Sequence, residues 1–251
     1  MKIGIIGTGN VAKSIGEALS KSNEVVYGSR KPEEAKQKMP NANVQSIEEA
    51  ARNSELIILA VPYEGIKEAV KEMKKAEEGK ILVDVSNPMD KNWRWAKGFN
   101  ESAAEELAKH AKGAKVVKAF NTIFAENMKT GQLGNEKLAT FIASDDEQAK
   151  ATVMSLAKSI GMDPVDVGAL EKARYIEPAG LLLIELGYGK KMGSGIGLKL
   201  VRGQQAQQPQ QPEQSEQAQQ QEQHKQPEQS EQLEQPQQPS AGAEPSAPGQ
   251  Q

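Results

Sequence analysis

MKIGIIGTGNVAKSIGEAL, residues 1 to 19, is the stretch whose reading decides the fold. A short apolar run, Ile3 to Ile6 around Gly4, leads into Gly7-Thr8-Gly9-Asn10-Val11-Ala12, and apolar residues at helical spacing follow. Strand, G-x-G-x-x-A and helix, in that order, make a dinucleotide-binding βα unit. Gly7 permits the tight turn, and Gly9 lets the backbone approach a pyrophosphate. Ala12 and Gly16 are small enough for the helix to lie against the strand. The free N–H groups and positive dipole end of that helix then face the phosphates, which makes Gly7 to Val11 the expected phosphate loop. A glycine motif alone is a weak signal. Its place behind an apolar strand and at the start of a helix gives it weight.

Outward from this unit, β-type runs alternate with helical patterns. Candidate strands fall at 2–7, 24–28, 56–61, 80–85, 115–119 and 138–144, with helices near 10–21, 32–38, 46–52, 64–75, 101–111 and 146–160. Ser102 and Glu105 have the spacing of a capping box at the start of one helix. Such alternation predicts an α/β fold, a doubly wound parallel sheet of Rossmann type with right-handed crossovers. A short strand near 164–167 and a helix near 178–187 leave a short C-terminal helical extension, too little for a separate helical domain.

From residue 203 the composition changes to Gln, Glu, Pro, Ser and Ala, and PEQSEQ occurs at 212–217 and again at 227–232. Such a segment cannot bury enough apolar surface to offset its ordering entropy. The expected organisation is therefore a dinucleotide-binding Rossmann domain over 1–202 and a disordered tail over 203–251. The tail carries seven Glu and one Lys, a net of −6, so the overall −3 leaves +3 on residues 1–202. A mildly basic body suits a small anionic ligand and is too weak a bias for nucleic acid. The absence of cysteine removes disulfides and thiolate chemistry. No apolar run has the length of a signal core or a membrane span. The reading is of a soluble, cytoplasmic protein.

EVVYGSRK, residues 24–31, should form the second strand and its turn. In an NAD site an acid closes this strand and holds a ribose hydroxyl. Here Ser29, Arg30 and Lys31 stand there instead. A guanidinium makes bidentate contacts to phosphate, a hydroxyl donates, and the lysine adds charge. The ligand that such a turn wants is the 2′-phosphate of NADP(H).

The crevice of a doubly wound sheet lies at the C-terminal strand ends. There the sequence places Ala60-Val61-Pro62-Tyr63, Ser86-Asn87-Pro88 and Asn121-Thr122-Ile123-Phe124-Ala125. Val61, Pro62, Asn87 and Asn121 are thus candidate cofactor contacts, and in the last segment backbone groups would hold the nicotinamide amide with Ile123 and Phe124 against a flat ring. A packed loop with a side-chain-capped turn is the alternative for the last segment. The catalytic residue is unknown: His110 reads as solvated, and His224 falls in the tail. Tyr63 and Lys67 match Y-x-x-x-K but follow the third strand, too early for a short-chain reductase pair. No metal-ligand spacing occurs. Hydride transfer between two bound redox cofactors needs chiefly proximity, since the cofactors carry the chemistry. GYGKKMGSGIGLKL, residues 187–200, reads either as a mobile flap whose Lys190 and Lys191 face the acceptor or as a helix terminus leading to the tail.

Taken together, MKIGIIGTGNVAKSIGEAL, YGSRK (27–31), LAVPY (59–63), DVSNP (84–88), VVKAFNTIFA (116–125) and GMDPVDVGALEKARYIEPAGLLLIEL (161–186) resemble the coenzyme F420-dependent NADP oxidoreductase family. They are also similar to the flavin-reducing domain of the STEAP metalloreductases. The resemblance implies NADP(H) on the loop Gly7, Thr8, Gly9, Asn10 and Val11, with Thr8, Ser29 and Arg30 at the 2′-phosphate. It implies Ile123 and Ala125 against the nicotinamide, direct hydride transfer to coenzyme F420 or a flavin, and a homodimer. One position departs: the dedicated deazaflavin enzymes are expected to carry a His where this chain has Asn121. Two other readings remain, a reductase of a small imine or hydroxy acid and an NADPH-binding sensor without turnover.

Overall fold

The computed structural model describes residues 1–92, 94–97 and 99–203. Met1–Val201 forms one compact unit. The expected disordered tail lies, except for Gly203, outside the described residues.

The chain opens with β1 (Lys2–Ile6), α1 (Asn10–Leu19), β2 (Glu24–Ser29), α2 (Pro32–Lys38), β3 (Val44–Ser46), α3 (Ile47–Arg52) and β4 (Leu56–Leu59). It continues with α4 (Ile66–Met73), β5 (Ile81–Asp84), α5 (Ala103–His110), β6 (Lys115–Lys118), the single turn α6 (Ala125–Met128) and a small hairpin of β7 (Gln132–Leu133) and β8 (Glu136–Lys137). It closes with β9 (Ala139–Ser144), α7 (Glu147–Ser159), β10 (Asp163–Gly168) and α8 (Ala173–Ile184). Ser102 caps α5 in the expected box: its side chain accepts from the Glu105 amide, and the Glu105 carboxylate accepts from the Ser102 amide.

Eight strands form one sheet in the order β10-β9-β6-β5-β4-β1-β2-β3. Both faces are covered, which explains the nearly continuous apolar strands. In β4, Leu56 and Ile58 join the core layer with Ile15 and Leu19 of α1. Ile57 and Leu59 join the opposite layer with Val70 and Met73 of α4. The order reverses at β1: β2 and β3 lie on one side of it and β4 on the other. This switch point is where ligands of such sheets bind.

The structure corrects the sequence reading in four places. The sheet is not wholly parallel, because β9 runs antiparallel to β6, with Val117 opposite Ser144. The chain between them holds one helical turn and a hairpin, not a crossover helix, so it turns back instead of crossing over. Strand β3 and the β7–β8 hairpin escape a period-2 reading because they are only three and two residues long. Helix α8 starts at Ala173, not near 178, and Pro178 sits inside it. A π turn, Glu185–Gly189, then ends it. The segment after α8 is tied down rather than free. Asn127 Nδ2 donates to Ser194 O (2.7 Å), Ala139 N donates to Leu198 O (2.8 Å), and Lys199 pairs with Glu136.

Candidate functional site

Gly7 stands at the switch point itself. Its amide donates to Gly28 O (2.9 Å), and its φ is +125°. A Cβ there would lie 2.2 Å from Ala60 O, so the turn admits only glycine. Gly9 differs. Its backbone is ordinary (φ −77°, ψ −175°), and a Cβ on it would meet no atom of the described residues within 4 Å. Neither strain nor packing asks for glycine, and what its missing side chain leaves is open space over the start of α1. Gly9 also caps α1 without a side-chain hydrogen bond, so the first-turn amides receive no side-chain cap.

Three adjoining cavities run across the C-terminal strand ends. The first, about 300 Å³, lies between the Gly7–Gly9 loop, Ser29–Lys31 and Val61–Pro62. The second, about 520 Å³, shares Gly9, Val61 and Pro62 with the first and reaches Tyr63, Ser86, Asn87 and Met89. The third, about 220 Å³, shares Asn10, Val11, Asn87 and Ile184 with the second and ends on Asn121, Ile123 and Ala125. All fourteen residues picked from the sequence therefore border one continuous groove.

Charge concentrates at the first cavity. Arg30 is exposed and has no ion-pair or hydrogen-bond partner among the described residues. Ser29 Oγ accepts from the Lys31 amide (3.1 Å), which leaves its hydroxyl proton free to donate. Lys31 is paired with Glu34 (2.8 Å), and this hydrogen bond holds the Glu34 carboxyl below its ordinary pKa. The lysine thus faces the cavity with an acid beside it.

The other end is buried and polar in a different way. Asn121 Nδ2 donates to Asn87 Oδ1 (3.0 Å) and to Ile176 O on α8 (3.1 Å), while Asn87 Nδ2 donates to Asn121 O (3.1 Å). This clasp joins the ends of β5 and β6 to α8. A Cβ on Gly180 would sit 2.3 Å from Asn87 Oδ1, so α8 can come this close only at a glycine. Phe120, just before the clasp, holds φ +65°, an unfavourable conformation for a bulky residue. Ser86 Oγ, Asn121 Oδ1 and Thr122 Oγ1 are buried with no partner among the described residues. Such orphans carry a cost unless something outside the protein satisfies them. Together with the open space at Gly9 and the unpaired Arg30, they fit a long ligand that is anionic at one end and amide-bearing at the other. Phe124 backs the far end with its ring edge-on to Tyr188 (5.5 Å, 84°).

Tyr63 and Lys67 are not a pair. Tyr63 donates to Glu106 (2.7 Å); burial first, and then this acid, push its pKa up to about 12. Lys67 is exposed. Among the described residues no cluster of His, Cys, Asp or Glu could hold a metal ion.

One feature of the site was missed in the sequence. Lys118 is completely buried, 2.7 Å from Asp84 and 3.1 Å from Glu177, and it also donates to Ser86 O (2.6 Å). Burial alone would lower its pKa, but the two carboxylates outweigh that and hold it raised. A signal existed: Asp84 and Lys118 end adjacent parallel strands in the same register, inside otherwise apolar runs.

Residues 2–88 match the family described as NADP oxidoreductase, coenzyme F420-dependent. The F420-dependent NADP reductase of Methanocaldococcus jannaschii is 34% identical over 218 residues, covering 78% of this chain and 97% of that protein. Metalloreductase STEAP3 of Rattus norvegicus is 38% identical over 186 residues, covering 73% of this chain but only 37% of the metalloreductase. A crystal structure of a protein taken to be an F420-dependent NADP reductase, from Arthrobacter sp. FB24, superposes with a TM-score of 0.74 at 28% identity, covering 80% of this chain and all of that one.

Proposed function

The chain belongs to the coenzyme F420-dependent NADP oxidoreductase family, and from that premise we propose that it carries a hydride between NADPH and a flat deazaflavin or flavin acceptor. The observation that carries the reading is the order of chemistry along the groove. A free guanidinium and a hydroxyl come first, then a loop left open by Gly9, then apolar walls with orphaned polar atoms. That order matches the groups along NADPH.

In this reading Thr8, Ser29 and Arg30 hold the 2′-phosphate, and Lys31 adds charge despite Glu34. The backbone of Gly7 to Val11 and the first turn of α1 take the pyrophosphate. Val61 and Pro62 flank the ribose side. Asn87 and Asn121 offer polar atoms to the amide end, and Ile123 and Ala125 lie against the ring. When bound, NADPH supplies the hydride. The chain's residues bind and orient: Val11, Ile123 and Ile184 give the inner groove an apolar wall. No side chain is asked to move a proton, in keeping with Tyr63 being held far from its ionised form. We further propose a homodimer built on the outer side of α8, where Tyr175 and Leu182 are 68% and 55% exposed. Sedimentation at working concentration tests that. The setting proposed is the cytoplasm, with small molecules rather than nucleic acid or a membrane as partners. No helix among the described residues is long and apolar enough to cross a membrane.

The test is NADPH oxidation by the purified chain, offered coenzyme F420, FMN, FAD and a cyclic imine in parallel, with NADH as control. Turnover with F420 or a flavin, and far less with NADH, is expected. Turnover with the imine alone would move the chain to the imine reductases. Tight NADPH binding without turnover would make it a sensor.

A further inference from the structure

The buried cluster of Asp84, Lys118 and Glu177 holds more charge than packing requires. All three side chains are at most 1% exposed. Asp84 Oδ1 accepts from the Ser86 amide (2.9 Å) and its Oδ2 from Lys118 (2.7 Å). Glu177 Oε2 accepts from the Ala103 amide (2.9 Å), and its Oε1 accepts from the Ala104 amide (3.1 Å) and from Lys118. Every carboxylate oxygen thus receives a donor, the arrangement that an ionised carboxylate accepts. Two negative charges face one positive charge, a net of −1 that the first amides of α5 offset only in part.

Burying such a cluster is expensive, and apolar side chains of similar volume would often stabilise a fold as well or better. Its position suggests what the charge is for. Asp84 accepts from the amide of Ser86 and Lys118 donates to its carbonyl, and Ser86 and Asn87 form a wall of the middle cavity. Glu177 follows Ile176, whose carbonyl anchors Asn121 in the wall of the inner cavity. The cluster therefore lies one residue behind the groove on both sides of its inner part. The acidic groups on the groove rim, Glu64, Asp90 and Glu126, are water-facing by comparison, and Asp90 is paired with Arg94. A buried charge is screened far less than these and acts over a longer range.

We propose that Asp84, Lys118 and Glu177 form a positioning charge behind the nicotinamide end of the groove, one that favours the oxidised, cationic ring of NADP+ over the neutral ring of NADPH. The inference rests on the hydride-transfer reading above. Loss of a hydride leaves the ring with one positive charge, and a fixed negative charge nearby stabilises that charge as it develops. The 2′-phosphate, pyrophosphate and adenine contacts are the same in both forms, so they cancel in the ratio of the two affinities.

The experiment is equilibrium titration of NADP+ and of NADPH, without acceptor, against the native chain, Asp84→Asn and Glu177→Gln. Each substitution removes one negative charge and keeps the shape. The ratio Kd(NADP+)/Kd(NADPH) is expected to rise at least fivefold in either variant, with the NADPH Kd within about threefold of native. A folded variant whose ratio is unchanged overturns the proposal, since a merely structural cluster would weaken both forms alike. If neither variant folds, the native chain decides: NADP+ binding tighter than NADPH supports the charge, and the reverse order overturns it. A native chain that binds neither form would instead refute the functional reading, which keeps the two failures distinct.

Discussion

Arg30 and Lys118 are opposite uses of a cation. Arg30 is exposed and unpaired, available to an anion from outside. Lys118 is saturated by Asp84, Glu177 and a carbonyl, and available to nothing. The first was legible because it replaces a residue type whose role in the neighbouring chemistry is known. The second was not, because burial is a property of the sheet and not of the letter K. Replacing Arg30 by Ala should weaken NADPH binding by about 1.5–3 kcal/mol, the scale of a hydrogen bond to a charged group, and leave NADH binding nearly unchanged. Titration of both cofactors checks this, and an equal loss for both would remove the 2′-phosphate from this turn. Asn121 is the residue whose role the structure changes most. Picked as a cofactor contact, it also fastens α8 to the sheet, and only its orphaned Oδ1 remains to meet a ligand.

At the scale of the element, the two loop glycines separate fold from ligand. Gly7→Ala drives a Cβ into Ala60 O at a φ that L-residues avoid, so a large loss of stability is expected, beyond about 2 kcal/mol. Gly9→Ala meets open space and costs only what a poorer N-cap costs, under about 1 kcal/mol, yet it should weaken NADPH at least tenfold. Thermal melts paired with titrations separate the two, and a Gly9→Ala chain that binds normally would mean that nothing approaches the loop. A second element is the segment that Lys97 anchors to α5. Lys97 pairs with Glu101 (2.9 Å) and Glu106 (2.6 Å). Hydrogen bonds from Lys109 and then Lys97 hold the Glu101 pKa down to about 2. A carboxyl depressed on folding stabilises above its unfolded value, near 4.3, and that contribution is lost as pH falls toward 2. The melting temperature should therefore drop between about pH 4.5 and 2, and Lys97→Met should flatten that slope. Identical slopes in the two proteins would show that the pair is too well solvated to matter.

For the whole molecule, Met1–Val201 closes its own core in two layers about one sheet, and its C-terminal strap is fastened by Asn127 and Ala139 before the tail begins. Removing residues 203–251 should leave the melting temperature and NADPH affinity unchanged; a large drop in melting temperature would make the tail structural. The sequence by itself determined the βα unit, the strands β1, β2, β4, β5 and β6, the capped start of α5 and fourteen of the residues that border the groove. Those features are written in local patterns: an apolar run, a glycine spacing, a hydroxyl three residues before an acid. The tertiary structure alone decided the antiparallel turn to β9, because strand direction depends on what the intervening chain can span. It also decided the early start of α8, because packing against Asn87 and Asn121 holds the helix through Pro178. Last, it decided the burial of Asp84, Lys118 and Glu177, because three charges spread over ninety-four positions of sequence become one cluster only when β5, β6 and α8 meet.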